Sequence, residues 1–297
     1  MITIIGSINL DLIARVERLP APGETIPGSG FSTAPGGKGA NQALAARRAG
    51  AQVRMIGAVG ADSFADQALA LLREAGVDLS RVKKPSPLTG VAMILVGADG
   101  ENVIAVIPGA NANVAEEDVE AAGLSRDEFV LLQHEIPLPT IEAALRNARA
   151  AGAVSLLNAA PFQPQAADFL SMADYLVVNE TEFDLYAQSL GLEGSDREQR
   201  ARAYTARTGR TIVVTLGGDG VMAAASDRFL RLPAFPITPV DTVGAGDTFC
   251  GYLAAALSDG LVLEAALRRA AAAGALACLK PGAQPAIPFR SDIDSRL

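Results

Sequence analysis

Histidine and tryptophan are the residues that this 297-residue sequence most lacks. It contains one histidine, His134, no tryptophan and four tyrosines. One histidine cannot form a metal site built from several histidines, and a Ser-His-Asp triad would have to use His134. Both kinds of site are therefore nearly excluded. We interpret His134 as a structural or site-lining residue.

Cysteine, positive charge and long apolar runs are also scarce. The two cysteines, Cys250 and Cys278, lie in apolar helical stretches, so we expect buried free thiols rather than a disulfide. The net charge of −8 argues against a nucleic-acid or anionic-membrane partner. We see no secretory signal, and the run at 270–279 is shorter than the ~20 residues that span a bilayer. These features predict a cytoplasmic protein.

Short apolar runs alternate with amphipathic helical patterns along most of the chain. Candidate strands are ITIIGSI near the start and the runs at 53–60, 130–133, 154–161, 175–179 and 211–217. Candidate helices lie at 41–50, 63–76 and 139–152, and in the segment after Ser195. This alternation predicts an α/β fold in which a mostly parallel sheet lies between two helical layers, as a three-layer α/β/α domain over 1–297.

Two segments interrupt this alternation. Residues 11–34 are rich in Pro, Gly and Thr, and residues 89–107 form two β-prone runs around Gly97–Gly100, which is a hairpin signal. We predict that the segments at about 11–34 and 89–109 form a small β-sheet beside the main body and act as its lid.

Polar residues recur just after the predicted strands, where ligands bind in open parallel sheets. They are Asn9, Asp11, Glu135, Asn158, Asn179 with Glu182, the stretch 215–220 and the stretch 241–247. The sequence therefore predicts a ligand site at this edge of the sheet.

The stretch PVDTVGAGDTFC places Asp247 directly after Gly244, Ala245 and Gly246. Backbone N–H groups of small residues at a helix start can hold a phosphate, and an adjacent carboxylate can accept a proton from an attacking hydroxyl. The alternative is that Asp247 only caps the helix. The small residues and a second acid, Asp241, favour the functional interpretation.

A second glycine-rich stretch, APGGKGANQALAARRAG, contains Lys38 and Asn41. It lacks Walker A spacing, and no G-x-G-x-x-G follows a strand, so neither a P-loop nor a dinucleotide fold is supported. It suits close backbone approach to a polyhydroxylated ligand, or simply a turn that needs positive φ at a helix start.

Two further patterns leave two interpretations open. Asn179 and Glu182 could form a capping pair or could organise hydrated Mg²⁺ and phosphate oxygens. TLGGDG at 215–220 could be a hairpin turn or an open backbone for nucleotide phosphates.

Together these stretches resemble the ribokinase branch of the PfkB family of carbohydrate kinases. The motifs on which the resemblance rests are GSINLD (6–11), PGGKGANQA (35–43), NETE (179–182), TLGGDG (215–220), DTVGAGDTF (241–249) and KPGAQPAIP (280–288). The resemblance implies a β lid that often mediates homodimers and transfer of the γ-phosphoryl group of ATP to a sugar hydroxyl, with D-ribose 5-phosphate as the leading product.

The resemblance also implies roles for individual residues. Asp247 is the expected base, with the amides of Gly244, Ala245 and Gly246 as the anion hole. The expected sugar ligands are Asn9, Asp11, Gly37, Lys38, Asn41, Glu135 and Asp247. The expected ATP ligands are Asn179, Thr215, Gly217, Gly220 and Gly246, and Glu182 would support Mg²⁺ through water.

A monovalent-cation site for K⁺ is implied beside the anion hole. Its positions are Asp241, Val243, Ala277, Lys280, Gly282 and Ala286. Ala286 stands where ribokinases often carry a serine, and Ala271 stands where we expect a polar residue near the adenine.

Alternative functions differ in what they require of the sequence. A kinase for another sugar or for a nucleoside needs the same catalytic residues, although few aromatic residues are present to stack a nucleobase. A non-catalytic sugar-binding protein on this fold needs no base, so Asp247 argues against it. A NAD-dependent oxidoreductase lacks its fingerprint.

Overall fold

The computed structural model describes residues 1–226 and 228–297. Its strands are β1 Ile2–Ile5, β2 Asn9–Val16, β3 Gly28–Gly36, β4 Val53–Gly60, β5 Asp78–Ser86, β6 Gly90–Val96, β7 Asn102–Ile107, β8 Phe129–Gln133, β9 Val154–Asn158, β10 Tyr175–Asn179, β11 Thr211–Thr215, β12 Val221–Ala225 and β13 Arg228–Leu232. Its helices are α1 Lys38–Arg48, α2 Ser63–Ala75, α3 Glu116–Glu120, α4 Leu138–Ala151, α5 Glu180–Ser189, α6 Arg197–Thr208, α7 Ala245–Ser258, α8 Leu263–Ala277, α9 Ala283–Ala286 and α10 Arg290–Asp294.

A nine-stranded sheet forms the centre of the molecule, in the order β13-β12-β11-β10-β9-β8-β1-β4-β5. The strands from β5 to β11 run parallel, and β12 and β13 add an antiparallel hairpin at one edge. The mostly parallel sheet that the sequence predicts is confirmed. Its inner strands read as unbroken apolar runs because both of their faces are buried.

Helices cover both faces of this sheet and create two separate cores. Residues of α1, α2, α7 and α8 pack with Ile2 and Ile4 on one face. Residues of α3, α4, α5 and α6 pack with Ile5 on the other face. The predicted three-layer arrangement is therefore confirmed.

Helices α1 and α7 pack unusually closely, and this contact sets the position of the site. A Cβ atom built on Gly251 of α7 would lie 2.6 Å from the Cβ of Ala45 on α1. Because the residue is glycine, the middle of α7 can lie directly against α1.

A second sheet of four strands has the order β3-β2-β6-β7. Strand β2 pairs parallel with β6, whereas β2–β3 and β6–β7 are antiparallel pairs. The two distant segments thus form one small sheet, as predicted. Only Gly6–Ile8 separate β1 of the main sheet from β2 of the small one, so the small sheet is joined to the carboxyl edge of the main sheet.

Some elements differ from the prediction. Strand β5 was not predicted because it is a largely polar, part-exposed edge strand that contains Pro85. The predicted strand at 154–161 ends at Asn158, and that at 211–217 ends at Thr215, where a tight 3₁₀ turn begins. Among the described helices, none is both long and apolar enough to cross a membrane.

Candidate active site

The start of α7 is open on the side that faces a cavity. Gly244 caps the helix with φ 75°, in the left-handed region, and α7 begins at Ala245. Asp247 therefore lies in the first helical turn, and the interpretation of Asp247 as the N-cap is wrong. The first N–H groups of a helix have no intrahelical acceptor. A Cβ atom built on Gly246 would meet no atom within 4 Å, so this backbone is accessible to a ligand.

The Asp247 carboxylate is buried and held on both oxygens. Its Oδ2 accepts a hydrogen bond from Asn41 Nδ2 at 2.9 Å, and its Oδ1 accepts one from Gln42 Nε2 at 2.9 Å. Both donors lie at the start of α1, which the Gly251 contact holds against α7. The carboxylate therefore has a fixed orientation before any substrate binds.

Two cavities meet at Gly246. The larger, of about 530 Å³, has mostly apolar walls that include Phe249 and Ala271. The smaller, of about 220 Å³, is lined by Lys38, Asp247 and other polar residues. Thr215, Thr242 and Gly246 belong to both linings. The arrangement provides an apolar compartment joined to a polar one that contains the carboxylate.

Lys38 provides the positive charge of the smaller cavity. The charge of Asp247 is the main reason that the pKa of Lys38 is raised, and Glu135 and Glu182 add to it. Its backbone N–H donates to Glu135 Oε2 at 3.0 Å. The ammonium group thus lies among three carboxylates, in a position suited to a phosphate group.

Several of the predicted sugar ligands lie close to one another. Burial, together with the charges of Glu135 and Asp247, raises the pKa of Asp11 to about 7. A Cβ atom on Gly36 would lie 2.3 Å from Asp11 Oδ1, and one on Gly37 would lie 2.7 Å from the backbone N of Asn9. The glycines of the PGGKGANQA stretch therefore let the turn into α1 pack against β2. Gly37 has a φ of 88°, so the alternative interpretation of this stretch, a helix-start turn that needs positive φ, also holds.

Asn179 and Glu182 form the predicted capping pair and also line the smaller cavity. Asn179 Oδ1 accepts from the backbone N–H of Glu182 at 2.8 Å, and Glu182 Oε2 accepts from that of Asn179 at 2.9 Å. Burial raises the pKa of Glu182. The capping role does not prevent the second role, because within the described residues Glu182 Oε1 accepts no hydrogen bond.

The Glu182 carboxylate fits a magnesium ion that is coordinated mainly by phosphate oxygens and water. Across residues 1–226 and 228–297, no group of three or more His, Cys, Asp or Glu residues is arranged to hold a metal ion. Mg²⁺ commonly keeps several waters and binds one or two carboxylates plus substrate phosphates. A single acid such as Glu182 is compatible with that mode and not with an all-protein cage.

The stretch 215–220 is a tight turn between β11 and β12, and it also lines the larger cavity. Cβ atoms on Gly217 or Gly218 would meet nothing within 4 Å, so the turn exposes its backbone. Gly220 has a different role, since a Cβ atom there would lie 2.1 Å from the carbonyl oxygen of Leu232. Gly220 lets the turn pack against β13.

Asp241 joins the two loops predicted to hold a monovalent cation. Its Oδ1 accepts from the backbone N–H of Val243 at 3.0 Å, and its Oδ2 accepts from that of Gly282 at 2.8 Å. Ala277 ends α8, and Lys280 and Gly282 follow in the second loop. Ala286 is buried and contributes only a methyl group, so it offers no side-chain ligand.

Several buried polar residues that no sequence pattern singled out hold the site together. Ser7 Oγ donates to Glu135 Oε2 at 2.6 Å, and Asn111 Nδ2 donates to Asn9 Oδ1 at 2.7 Å. Gln42 and Gln133 continue the network behind Asp247. Ser7 lies inside GSINLD and Gln42 lies inside PGGKGANQA, and membership of these two stretches was the only sequence signal that could have identified them.

His134 is buried beside the sugar-ligand cluster. Its Nδ1 lies 3.2 Å from the carbonyl oxygen of Pro161, and burial lowers its pKa to about 4. It lines a cavity of about 350 Å³ together with Asn9 and Glu135. A neutral ring in this position agrees with the interpretation of His134 as a site-lining residue.

Comparison with known proteins identifies the family. The sequence profile described as pfkB family carbohydrate kinase matches residues 1–290. The chain belongs to this family. Among its carbohydrate kinases, a ribokinase of Bacillus subtilis is 36% identical over 302 residues, which cover 100% of this chain and 99% of that protein.

Solved structures of carbohydrate kinases share the fold over nearly the whole chain. A ribokinase from Thermotoga maritima matches with a TM-score of 0.91 and 31% identity, covering 99% of this chain and 98% of the other. An Arabidopsis thaliana ribokinase solved with ribose and ATP matches with a TM-score of 0.86 and 32% identity, covering 99% and 97%. The chain is thus a carbohydrate kinase.

Proposed function

We propose that this carbohydrate kinase transfers the γ-phosphoryl group of ATP to the 5-hydroxyl of D-ribose. One observation carries the proposal: the Asp247 carboxylate lines the polar cavity that adjoins the apolar one at Gly246, and it also interacts electrostatically with Asp11, one of the predicted sugar ligands. A kinase needs a base at that junction, because the two substrates must meet there. The curated and solved ribokinases that span the whole chain favour ribose as the sugar.

ATP occupies the two joined cavities in this proposal. The adenine fills the larger cavity, where Ala271 leaves apolar packing in place of a polar contact. The phosphates extend past the open backbone of the 215–220 turn to Gly246. The residues that contact the nucleotide are Asn179, Thr215, Gly217, Gly220 and Gly246.

Asp247 accepts the proton of the 5-hydroxyl as that oxygen bonds to the γ-phosphorus and the bond from phosphorus to the ADP oxygen breaks. The amides of Gly244, Ala245 and Gly246 and the ammonium of Lys38 neutralise the charge on the transferred group. Preorganised donors of this kind lower the barrier without reorganising during the reaction.

The sugar is held by hydrogen-bond acceptors that suit a polyol. Asp11, Glu135 and Asp247 can each accept a hydrogen bond from a sugar hydroxyl. The Asn9 and Asn41 amides and the Gly37 backbone complete the contacts. Ser7 and Asn111 hold Glu135 and Asn9 in place.

Two ions complete the proposed site. Mg²⁺, when bound, neutralises phosphate charge, and Glu182 would hold its water shell. K⁺ would bind at Asp241 with the carbonyl groups of Val243, Ala277, Lys280 and Gly282, with water in place of a side chain at Ala286. Bound there, it would steady the loop that precedes Gly244.

The small sheet is proposed as a lid and as the contact between two copies of the chain. All six residues of β7 are exposed, and Val103 to Ile107 are uncharged and apolar. An exposed edge strand of this kind pairs readily with another strand. A second copy is a suitable partner because Val103 to Ile107 carry no charged residue. Two such strands can therefore meet without charge repulsion, although the whole chain has a net charge of −8. We place the enzyme in the cytoplasm, which agrees with two free buried cysteines.

A substrate panel tests the function. Purified protein with ATP and Mg²⁺ should release ADP with D-ribose faster than with other pentoses, hexoses or nucleosides, and faster in K⁺ than in Tris-only buffer. No turnover with any member would refute the kinase, and equal rates in both buffers would refute the cation site.

The variant Asp247→Asn tests the proposed base. It should bind D-ribose with near-normal affinity in calorimetry and lose at least about 100-fold in kcat, because the amide cannot accept the proton. A kcat close to that of the unmodified enzyme would show that Asp247 is not the base.

A further inference from the structure

Gln42 lies directly behind Asp247 and is completely buried. Its Nε2 donates to Asp247 Oδ1 at 2.9 Å and to Asn158 Oδ1 at 3.1 Å. Its Oε1 accepts from Gln133 Nε2 at 2.6 Å. This relay of amides joins α1, α7, β8 and β9 at one point.

Chemistry permits only one orientation for each amide in the relay. An ionised carboxylate can only accept hydrogen bonds, so Gln42 must turn its NH₂ group toward Asp247. Its oxygen then faces Gln133, which must present its own NH₂ group. Gln133 Oε1 is left next to Gly6, where a Cβ atom would come within 2.0 Å, and within the described chain it has no hydrogen-bond partner. The polarity of the relay is thus set by a charged Asp247.

We infer that Gln42 is a positioning residue for phosphoryl transfer, because it fixes the direction of the Asp247 carboxylate toward the sugar hydroxyl. The inference rests on the proposed role of Asp247 as the base. Asn41 holds the other oxygen and is itself a proposed sugar ligand. Gln42 differs because its side chain is 0% exposed, so it acts only through Asp247.

The charged and titratable groups near Asp247 are not part of the relay and are left chemically unchanged by a substitution at Gln42. They are Lys38, Asp11, Glu182 and the thiol of Cys250, each of which has an electrostatic interaction with Asp247. A change in the pH dependence of catalysis on altering Gln42 would therefore report on the relay.

The test is the variant Gln42→Met, which keeps the unbranched shape and removes the amide. We expect kcat at pH 7 to fall about tenfold and the low-pH limb of the kcat–pH profile to move up by about one pH unit, because a hydrogen bond to the charged form is lost. The Kd for D-ribose in calorimetry should stay within about twofold. Gln133→Met should move the limb in the same direction by less, because Gln42 keeps its bond to Asp247.

Two reference variants separate the possible outcomes. Thr205→Val removes a buried hydrogen bond to the Ala224 carbonyl and should lower the melting temperature without moving the limb. If Gln42→Met destabilises the fold but leaves the low-pH limb of the kcat–pH profile in place, the inference is wrong. If Gln42→Met does not fold, an unmoved low-pH limb in Gln133→Met overturns the inference equally. Asp247→Asn in the same assay separates the two claims. A normal kcat in Asp247→Asn would refute the base and, with it, the inference, whereas a large loss of kcat there together with an unmoved limb in Gln42→Met would refute the inference alone.

Discussion

Two glycines at the start of α7 serve different physical purposes, although they are two residues apart. Gly244 has φ 75°, and a Cβ atom there would lie 2.8 Å from the Cβ of Ala283. Gly246 has ordinary helical geometry, and its missing side chain leaves open space toward both cavities. Gly244 is therefore required by the fold, whereas the fold leaves room for a side chain at Gly246, which we propose is kept small by the ligand.

This distinction predicts opposite effects for two alanine variants. Gly246→Ala should keep or slightly raise the melting temperature, because alanine favours a helix over glycine by about 0.5–1 kcal/mol. Its kcat should fall about 100-fold, because the methyl group occupies the proposed anion hole. Thermal denaturation and steady-state kinetics measure the two effects.

Gly244→Ala is the matched variant. A non-glycine residue in the left-handed region costs about 1–3 kcal/mol, and the contact with Ala283 adds to that. The melting temperature should fall clearly. Equal stability of the two variants, or normal turnover in Gly246→Ala, would contradict the assigned roles.

At the scale of elements, strand β7 and its neighbour β6 carry apolar side chains that the rest of the chain leaves uncovered. Met93 of β6 is 54% exposed and Val103 of β7 is 55% exposed. The pairing register, Met93 with Ala105 and Leu95 with Val103, puts both on the same face of the small sheet. Such a patch marks an interaction surface.

If this face joins two copies, the double variant Met93→Glu, Val103→Glu should convert a dimer to a monomer. Two added charges per copy would repel each other across the interface and would lose apolar contact. Sedimentation velocity measures the change, and circular dichroism should show an intact fold.

Val262→Glu provides a comparison for the lid variant. Val262 is 68% exposed and lies at the start of α8, on the main body. This change should leave the oligomeric state unaltered. If the unmodified protein is a monomer, or if the double variant is still a dimer, the small sheet is not the contact between two copies.

For the whole molecule, the cluster of carboxylates around the buried Asp11 is a source of instability. Asp11, Glu135 and Asp247 bring three carboxylates together, and Asp11 has a pKa of about 7 in the fold against an ordinary value of about 3.9. The folded protein thus keeps a proton that the unfolded chain releases between about pH 4 and 7. Stability from this residue therefore falls as the pH rises through that window, and the loss is complete above pH 7.

Asp11→Asn should accordingly raise the melting temperature, and by more at pH 8 than at pH 5. It should also weaken D-ribose binding, because an acceptor for sugar hydroxyls becomes partly a donor. Differential scanning calorimetry at the two pH values checks the first effect. A stability gain that is independent of pH would show that the charge of Asp11 is not its source.

Much of the fold could be predicted from the sequence because the inner strands and helices carry local signals. Strands β4 and β10 begin and end where their apolar runs do, and the glycines after α2 and α4 end those helices in the left-handed conformation. Strand β5 has no such run because it lies at the sheet edge. The order of the strands is also not local, since it depends on which runs meet in space.

The candidate site was predictable where a residue type reveals its chemistry. Asp247 and the small residues before it follow from helix-start physics, and most of the other candidates follow from their position after predicted strands. Their individual roles came from the family resemblance. Gln42 and Gln133 were not predicted, because a glutamine within a helix or strand looks like any other until its partners are known.

The sequence by itself determined the α/β alternation, the carboxyl-edge position of the site and the family, because each depends on residue type and short spacing. The tertiary structure alone decided that Lys38 lines the same polar cavity as Asp247, that Gly244 is crowded whereas Gly246 is open, and that an amide relay stands behind Asp247. These depend on side chains from distant segments, such as Gln42 and Asn158, whose distances apart only the folded chain defines.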